Sequence, residues 1–240
     1  MKKNVLKLTV LLAVVLCLVF SMSACSEKTE SDDKQNNSSA QTVQTADDIT
    51  ELVDAYNTAL EKSTVKCTSS SQKVEKGNLW IGDNSDETMD LTAPEQDELL
   101  AKFEKNESTG AELTKLNAAD VESVSVNENV VTFTLKSANT TGSAAQGQNG
   151  YLNIIDTDGT QVLVDGVKSY ANVKGNVKIN SSKYGFSQGT LTVTFNNKKH
   201  KSIESVSFSG KQNVRAEMKY LVININADIN YALSSEYAKV

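Results

Sequence analysis

Histidine and the short motifs of common catalytic sites are scarce or absent in this sequence. His200 is the only histidine, and the chain has no CxxC pair, no HExxH motif and no glycine-rich phosphate loop. His200 lies in a basic stretch, 196–201, between two strand-like segments. This position indicates an exposed hairpin tip rather than a base held by a carboxylate beside a nucleophile. The sequence therefore predicts a protein that is not an enzyme and needs no cofactor.

Cysteine is too rare to build a disulfide framework. Cys17 lies in the apolar leader, Cys25 follows that leader, and Cys67 is the only cysteine in the rest of the chain. No internal disulfide is therefore expected in the folded part. We expect Cys67 to pack as a small apolar residue within a strand rather than to act as a nucleophile.

Basic residues are outnumbered by acidic ones. The chain has 24 Lys and Arg against 30 Asp and Glu, which gives a net charge of −6. Loss of a leader containing Lys2, Lys3 and Lys7 would lower the charge to −9. Nucleic acid is therefore not an expected partner, because its recognition depends on a basic surface.

The longest apolar run is too short to cross a bilayer. It covers residues 8–20, whereas a membrane-spanning helix needs about 20 apolar residues. Lysines precede the run, and small residues follow it. This combination predicts a secretory signal peptide over residues 1–24.

The end of the leader, Met22-Ser23-Ala24-Cys25, resembles the lipobox of bacterial lipoproteins. The resemblance implies cleavage before Cys25 and attachment of acyl chains such as palmitate to that cysteine. Two acyl chains give a stable anchor, at about 0.8 kcal/mol per buried methylene. We therefore expect a lipoprotein anchored at the extracytoplasmic face of the cell membrane. An ordinary signal peptide with a coincidental cysteine is the alternative.

Residues 25–46 are polar and nearly free of large apolar side chains. Such a segment cannot bury enough apolar surface to offset the entropy of ordering it. The composition predicts a flexible tether of 22 residues that could extend to at most about 70 Å. Residues 47–240 are then expected to form a single domain.

Two helices are predicted near the start of this domain. Acidic residues at 47 and 48 precede apolar residues at spacings of three and four, which predicts a helix over 47–62. Thr92 and Glu95 have the spacing of a capping box around Pro94, which predicts a second helix over 94–105. Between them, residues 64–75 are expected to form a strand.

Alternating apolar residues predict strands in the second half of the chain. Residues 121–135 are typical of a β-hairpin, and further strands are expected at 151–155, 161–164, 172–179, 190–195 and 203–208. The final strand, 221–233, should place Leu221, Ile223, Ile225, Ala227 and Ile229 on one face. Residues 137–150 are rich in Gly, Ser and Asn and are predicted to be either a long loop or an interdomain linker.

These elements predict an α+β fold. It consists of a curved, mostly antiparallel sheet with long strands, and the two N-terminal helices cover its apolar face. The order of elements is loosely similar to that of half-barrel bacterial lipid carriers of the LolA and LppX type. That similarity implies a groove for an apolar ligand, but no sequence motif of these carriers is present.

Acidic residues offer two candidate metal sites, neither of which is favoured. Asp156 and Asp158 begin a DTDGT segment that resembles the start of a calcium loop, yet Val167 stands where the bidentate acid of an EF-hand belongs. A β-turn is the preferred interpretation. The second group, Asp83, Asp86, Glu87 and Asp90, is interpreted as a solvated loop.

The sequence thus predicts a non-catalytic, membrane-anchored protein that binds an apolar ligand or another envelope protein. The alternative is a structural or surface-interaction module without a small-molecule pocket. A cavity lined by residues such as Phe195, Phe208, Ile223, Ile225 and Ile229 would favour a carrier, and a solid core would favour the interaction module. Trp80, the only tryptophan, is expected in the core, with ligand stacking as the alternative, and Arg215 is the only arginine.

Overall fold

The computed structural model describes residues 41–43, 45–82, 88–107, 112–141, 159–170, 172 and 174–240. The helices are α1 (Ala46–Glu61), α2 (Asp97–Leu100) and α3 (Gly159–Tyr170), with 3₁₀ turns at Pro94–Gln96 and Ala118–Asp120. The strands are β1 (Gln41–Val43), β2 (Val65–Ile81), β3 (Met89–Asp90), β4 (Lys105–Glu107), β5 (Val121–Asn127), β6 (Val130–Leu135), β7 (Ala138–Thr141), β8 (Lys178–Phe195), β9 (Ile203–Tyr220) and β10 (Ile223–Lys239).

Within these residues, ten strands form one antiparallel sheet, which is open and curved. The strand order is β1-β5-β6-β8-β9-β10-β2-β3, with β4 beside β2 and β7 beside β8. The four central strands, β8, β9, β10 and β2, are each 17 or 18 residues long, against a usual length of 5–6. The predicted mostly antiparallel sheet of long strands is therefore confirmed.

The central strands bury one face and leave the other polar. In β9 and β10, the apolar side chains of Val214, Ala216 and Met218 lie opposite those of Ile229, Ala227 and Ile225. All six are at most 4% exposed and belong to one hydrophobic cluster. The intervening residues lie on the opposite face, because successive side chains of a strand alternate. We call that opposite face the polar face.

Helix α1 covers the apolar face where the sequence predicts a helix. Thr45 caps its N-terminus by accepting a hydrogen bond from the Asp48 backbone N–H. Ile49, Val53 and Ala59 are buried on one side of the helix. Tyr56 is fully buried, with its ring edge-on to Phe133 at 5.9 Å, and its hydroxyl donates to the Thr114 carbonyl at 3.1 Å. Helix 47–62 is thus confirmed.

The predicted second helix, 94–105, is wrong beyond its first turns. A 3₁₀ turn and the four-residue α2 replace it, and the chain is in β4 by Lys105. No capping box forms, because the Thr92 hydroxyl and backbone N–H both donate to the Asp90 carboxylate, at 2.7 and 2.9 Å. These hydrogen bonds hold the pKa of Asp90 below its usual value. Phe103 is fully buried beyond the end of α2.

A helix stands where the sequence predicts a strand over 161–164. Helix α3 buries Leu163 and Val167, which belong to the same cluster as the residues of α1. Leu163 and Val167 are four residues apart, as on one side of a helix. The four residues 161–164, taken alone, are too few to distinguish a helix from a strand. Gly166 faces the Phe103 ring, and a Cβ at this position would lie 2.5 Å from it, so glycine permits the close approach of α3.

The other strand predictions differ in extent. The hairpin 121–135 is confirmed as β5 and β6, with Glu128 at φ 57° in its turn. Segments 190–195 and 203–208 are parts of β8 and β9, whereas the strand expected over 172–179 begins only at Lys178. The strand predicted at 151–155 lies outside the described residues. In the final strand, Ile225, Ala227 and Ile229 are buried as expected, but Leu221 and Ile223 are exposed.

Two buried tyrosines provide a test of this core. Burial raises the pKa of Tyr56 and of Tyr231 above their usual value near 10; Tyr237 adds to the first shift and Glu104 to the second. The unfolded chain therefore loses these protons first as the pH rises. Since the unfolded state then binds fewer protons, the free energy of unfolding should fall above about pH 10.

We expect Tyr56→Phe and Tyr231→Phe to differ at neutral pH. Tyr56→Phe removes the hydrogen bond to Thr114 and should cost about 1 kcal/mol. Within the described residues the Tyr231 hydroxyl has no hydrogen-bond partner, so Tyr231→Phe should leave stability nearly unchanged. Urea unfolding at neutral and alkaline pH measures both effects. Each variant should also lose less stability at alkaline pH than the parent does. Equal losses of unfolding free energy in the two variants at neutral pH would contradict the difference in hydrogen bonding between Tyr56 and Tyr231.

Candidate functional site

The polar face carries a closely spaced set of charged, amide and aromatic side chains near one end of the central strands. Strand pairing places these residues in two adjacent rows across β8, β9, β10 and β2. The first row is Ser181, Glu217, Asn226 and Trp80, and the second is Lys183, Arg215, Asp228 and Asn78. In the sequence Trp80 and Arg215 stand as single residues, whereas strand pairing places them in adjacent rows of the same face.

Trp80 lies on this face and not in the core, so the prediction of a core tryptophan is wrong. Its neighbour Leu79 is 1% exposed and pairs with Ala227 on the apolar side. Trp80 pairs with Asn226, is only half-buried and is not part of the hydrophobic cluster. A partly exposed tryptophan on a polar surface provides a large apolar contact with a hydrogen-bonding N–H.

Arg215 and Asp228 form the centre of a hydrogen-bonded network. Arg215 Nε lies 2.9 Å from Asp228 Oδ2, and Asn213 Nδ2 donates to Asp228 Oδ1 at 2.8 Å. The same amide donates to Asn230 Oδ1 at 2.7 Å. Asp228 is thus held from two neighbouring positions of β9. The network fixes the direction of the carboxylate before any ligand arrives.

Lys183 adds a second cation beside Arg215. The two residues are directly paired between β8 and β9, and like charges in such positions repel each other. Asp228 offsets the charge of Arg215, whereas Lys183 is exposed and has no ion-pair partner within the described part of the chain. The ammonium group is therefore available to a ligand with an acceptor or a negative charge.

Two shallow depressions of about 410 Å³ each lie on the polar face. The first is lined by Trp80, Lys183, Arg215, Glu217, Asn226 and Asp228, among others. The second lies one row further along, where Lys211 forms an ion pair with Glu75 at 2.9 Å. At its edge Gly185 admits the side chain of Asn139 from β7, since a Cβ would lie 3.1 Å from Asn139 Oδ1. Both depressions combine apolar and hydrogen-bonding surface.

The residues expected to line an apolar cavity lie mostly in the packed core. Phe195, Phe208, Ile225 and Ile229 are at most 2% exposed and belong to the cluster that also contains residues of α1 and α3. Ile223 is 43% exposed and lies at the end of the sheet. These side chains pack against one another and the helices rather than around either depression.

The remaining candidate residues are dispersed. Cys67 is half-buried against the core within β2, as expected, and burial raises the pKa of its thiol. His200 follows β8 at φ 50°, with its ring 4.6 Å from that of Phe195, and is only partly exposed. Asp156, Asp158, Asp83, Asp86, Glu87 and Cys25 lie outside the described residues.

Among the described residues, no group of three or more His, Cys, Asp or Glu side chains is placed to hold a metal ion. None of the described helices is both long and apolar enough to cross a bilayer. No protein-family model matches the sequence, and it matches neither a curated protein nor a solved structure. The polar face must therefore be interpreted from its own chemistry.

The position of Trp80 can be tested against that of Leu79. Leu79→Ala empties a core site and should lower the free energy of unfolding by about 2–5 kcal/mol. Trp80→Ala changes a partly exposed position outside the hydrophobic cluster and should cost about 1 kcal/mol. Urea unfolding of the two variants provides the comparison. In the parent protein, acrylamide should quench native Trp80 fluorescence; a shielded tryptophan, or equal costs for the two variants, would refute this position.

Proposed function

We propose that this chain is a lipoprotein anchored through acylated Cys25 at the extracytoplasmic face of the cell membrane. The proposal is supported by the leader, which combines lysines, a short apolar run and the lipobox-like Met22-Ser23-Ala24-Cys25. The polar segment that follows provides a tether between the anchor and the described domain. The domain would therefore lie close to the extracytoplasmic surface of the cell membrane.

We further propose that the domain is a non-catalytic binding module whose polar face engages a partner in the cell envelope. The observation that supports this most directly is the partly exposed Trp80 beside the Arg215–Asp228 pair. Tryptophan and arginine are the residue types most enriched at the energetic centres of protein interfaces. Neighbouring amides and the Lys183 ammonium supply hydrogen bonds around them.

The geometry favours this interaction module over a carrier of apolar molecules. A carrier would use the space between the helices and the apolar face, yet Phe195, Phe208 and Ile229 fill that side of the sheet with packed side chains. The two depressions described above lie on the opposite, polar face. A ligand of either depression would have to satisfy charges and amides as well as the indole.

The proposed anchor makes a specific prediction about the mature N-terminus. Intact-mass analysis of protein extracted from the producing membrane should give a chain that begins at Cys25 and carries acyl chains. Globomycin, which blocks the lipoprotein signal peptidase, should cause the uncleaved precursor to accumulate. A mature N-terminus at any other residue, or maturation unaffected by globomycin, would contradict the anchor.

The proposed binding face can be tested by site-specific photo-crosslinking in intact cells. Benzoylphenylalanine in place of Ser181, at the edge of the first depression, should give a discrete adduct. Trp80→Ala or Arg215→Ala in the same chain should remove that adduct, because each takes away a central contact. The control position is Lys199, which is exposed in the turn between β8 and β9. The same adduct from Lys199, or an adduct from Ser181 that persists in both variants, would refute the proposed face.

A further inference from the structure

The hairpin between β9 and β10 ends the sheet with exposed aliphatic side chains. Leu221 is 75% exposed, Val222 is 89% exposed and Ile223 is 43% exposed. Ile81, at the adjacent end of β2, is 53% exposed. We call these four residues the apolar tip. They are the large hydrophobic side chains exposed at this end of the sheet, where solvation is unfavourable.

The turn at the apolar tip has an unfavourable sequence for its geometry. Tyr220 and Ile223 pair directly, so Leu221 and Val222 form a two-residue turn. Leu221 adopts φ 55°, a conformation that favours Gly, Asn or Asp in such turns. A leucine and a β-branched valine therefore bring a cost both in backbone conformation and in exposed apolar surface. Neither residue is explained by the stability of the hairpin.

Cationic side chains lie next to the apolar tip. Lys178 and Lys219 are exposed and directly paired between β8 and β9, two residues before the turn. Gly175 approaches the ring of Tyr220, which brings the exposed Lys174 to the same end. Aliphatic side chains flanked by lysines complement a lipid bilayer, because the acyl region takes the former and anionic headgroups attract the latter.

We propose that the apolar tip inserts into the outer leaflet of the membrane that holds the acylated Cys25, with Lys178 and Lys219 against anionic headgroups. This inference rests on the proposed membrane anchor. Four protruding side chains are far fewer than the 20–30 residues that each side of a standard protein interface contributes. Their membrane affinity alone is small, but the tether raises their effective concentration at the surface.

The dimensions of the chain allow this contact. Residues 41–43, at the end of the predicted tether, instead form β1, which strand pairing places at the level of Val206. From there to Leu221 the distance along β9 is about 50 Å. Residues 25–40 can extend to at most about 55 Å. Residues 25–40 are therefore long enough for the apolar tip to reach the bilayer that holds Cys25.

The test uses the mature, membrane-extracted protein reconstituted into vesicles of phosphatidylcholine and phosphatidylglycerol. Cys67→Ser removes the free thiol, and Ile223→Cys is labelled with the environment-sensitive fluorophore NBD. Lys201→Cys, at the opposite end of β9, carries the same label as a control. We expect blue-shifted emission and several-fold stronger quenching by doxyl-labelled lipids at position 223 than at position 201. Vesicles of phosphatidylcholine alone should give weaker quenching.

A second variant separates insertion from folding. Only the first central residue of this turn, Leu221, has a positive φ, and such turns prefer Gly there. Leu221→Gly with Val222→Asn therefore supplies preferred residues, so thermal stability should be equal or higher. Quenching at position 223 should nevertheless fall to the level of position 201. Equal quenching at the two positions in the parent, or quenching that survives the Gly–Asn replacement, would overturn the inference.

Insertion of the apolar tip and acylation of Cys25 can be tested separately. Intact mass of the same sample reports whether Cys25 carries acyl chains. Acylated protein with an unquenched tip would overturn the insertion alone. Protein without acyl chains would overturn the proposed anchor, and quenching at position 223 on added vesicles would then still report the affinity of the tip for lipid.

Discussion

The alternation of side chains along four unusually long strands is the constraint on which the rest of the structure depends. Each of β2, β8, β9 and β10 separates an apolar face from a polar one over 17 or 18 residues. A slip of one residue would exchange the two faces, so burial of one face fixes the register of the other. Lys183, Arg215 and Asp228 are therefore aligned by core residues whose side chains lie on the opposite face.

Simple alternation predicts β9 and β10 well but fails where the strands contain bulges. In β2, Lys76 pairs with Asn230 and Val74 with Tyr231, so Glu75 is an extra residue and the buried positions change from even to odd numbers. The alternation of apolar residues is therefore interrupted at Glu75, where the predicted strand 64–75 ends, and it does not indicate on which face Trp80 lies. Bulges bend and twist long strands, which explains both the curvature and the missed site residue.

The same effect explains the partial prediction of β8, whereas α3 was missed for another reason. Gln188, at φ 53°, lies in a register shift of β8, and buried positions are even before it and odd after it. Only the later segment shows a single clear period. In α3, Leu163, Val167 and Tyr170 have the spacing of one side of a helix, and all three contribute to the core or pack against it. Residues 161–164 alone are too few to show that spacing, and the contact of Phe103 with Gly166 is tertiary.

The apolar and polar faces of the sheet contribute very differently to the free energy of folding. Burial of core residues such as Phe133 and Ile229 dominates stability, at about 25 cal/mol per Å² of apolar surface. The Arg215–Asp228 pair is open to solvent, with side chains 67% and 28% exposed, so screening leaves it worth at most about 1 kcal/mol. Side chains of the polar face therefore contribute little to folding stability, and their sequence is free to serve the proposed binding role.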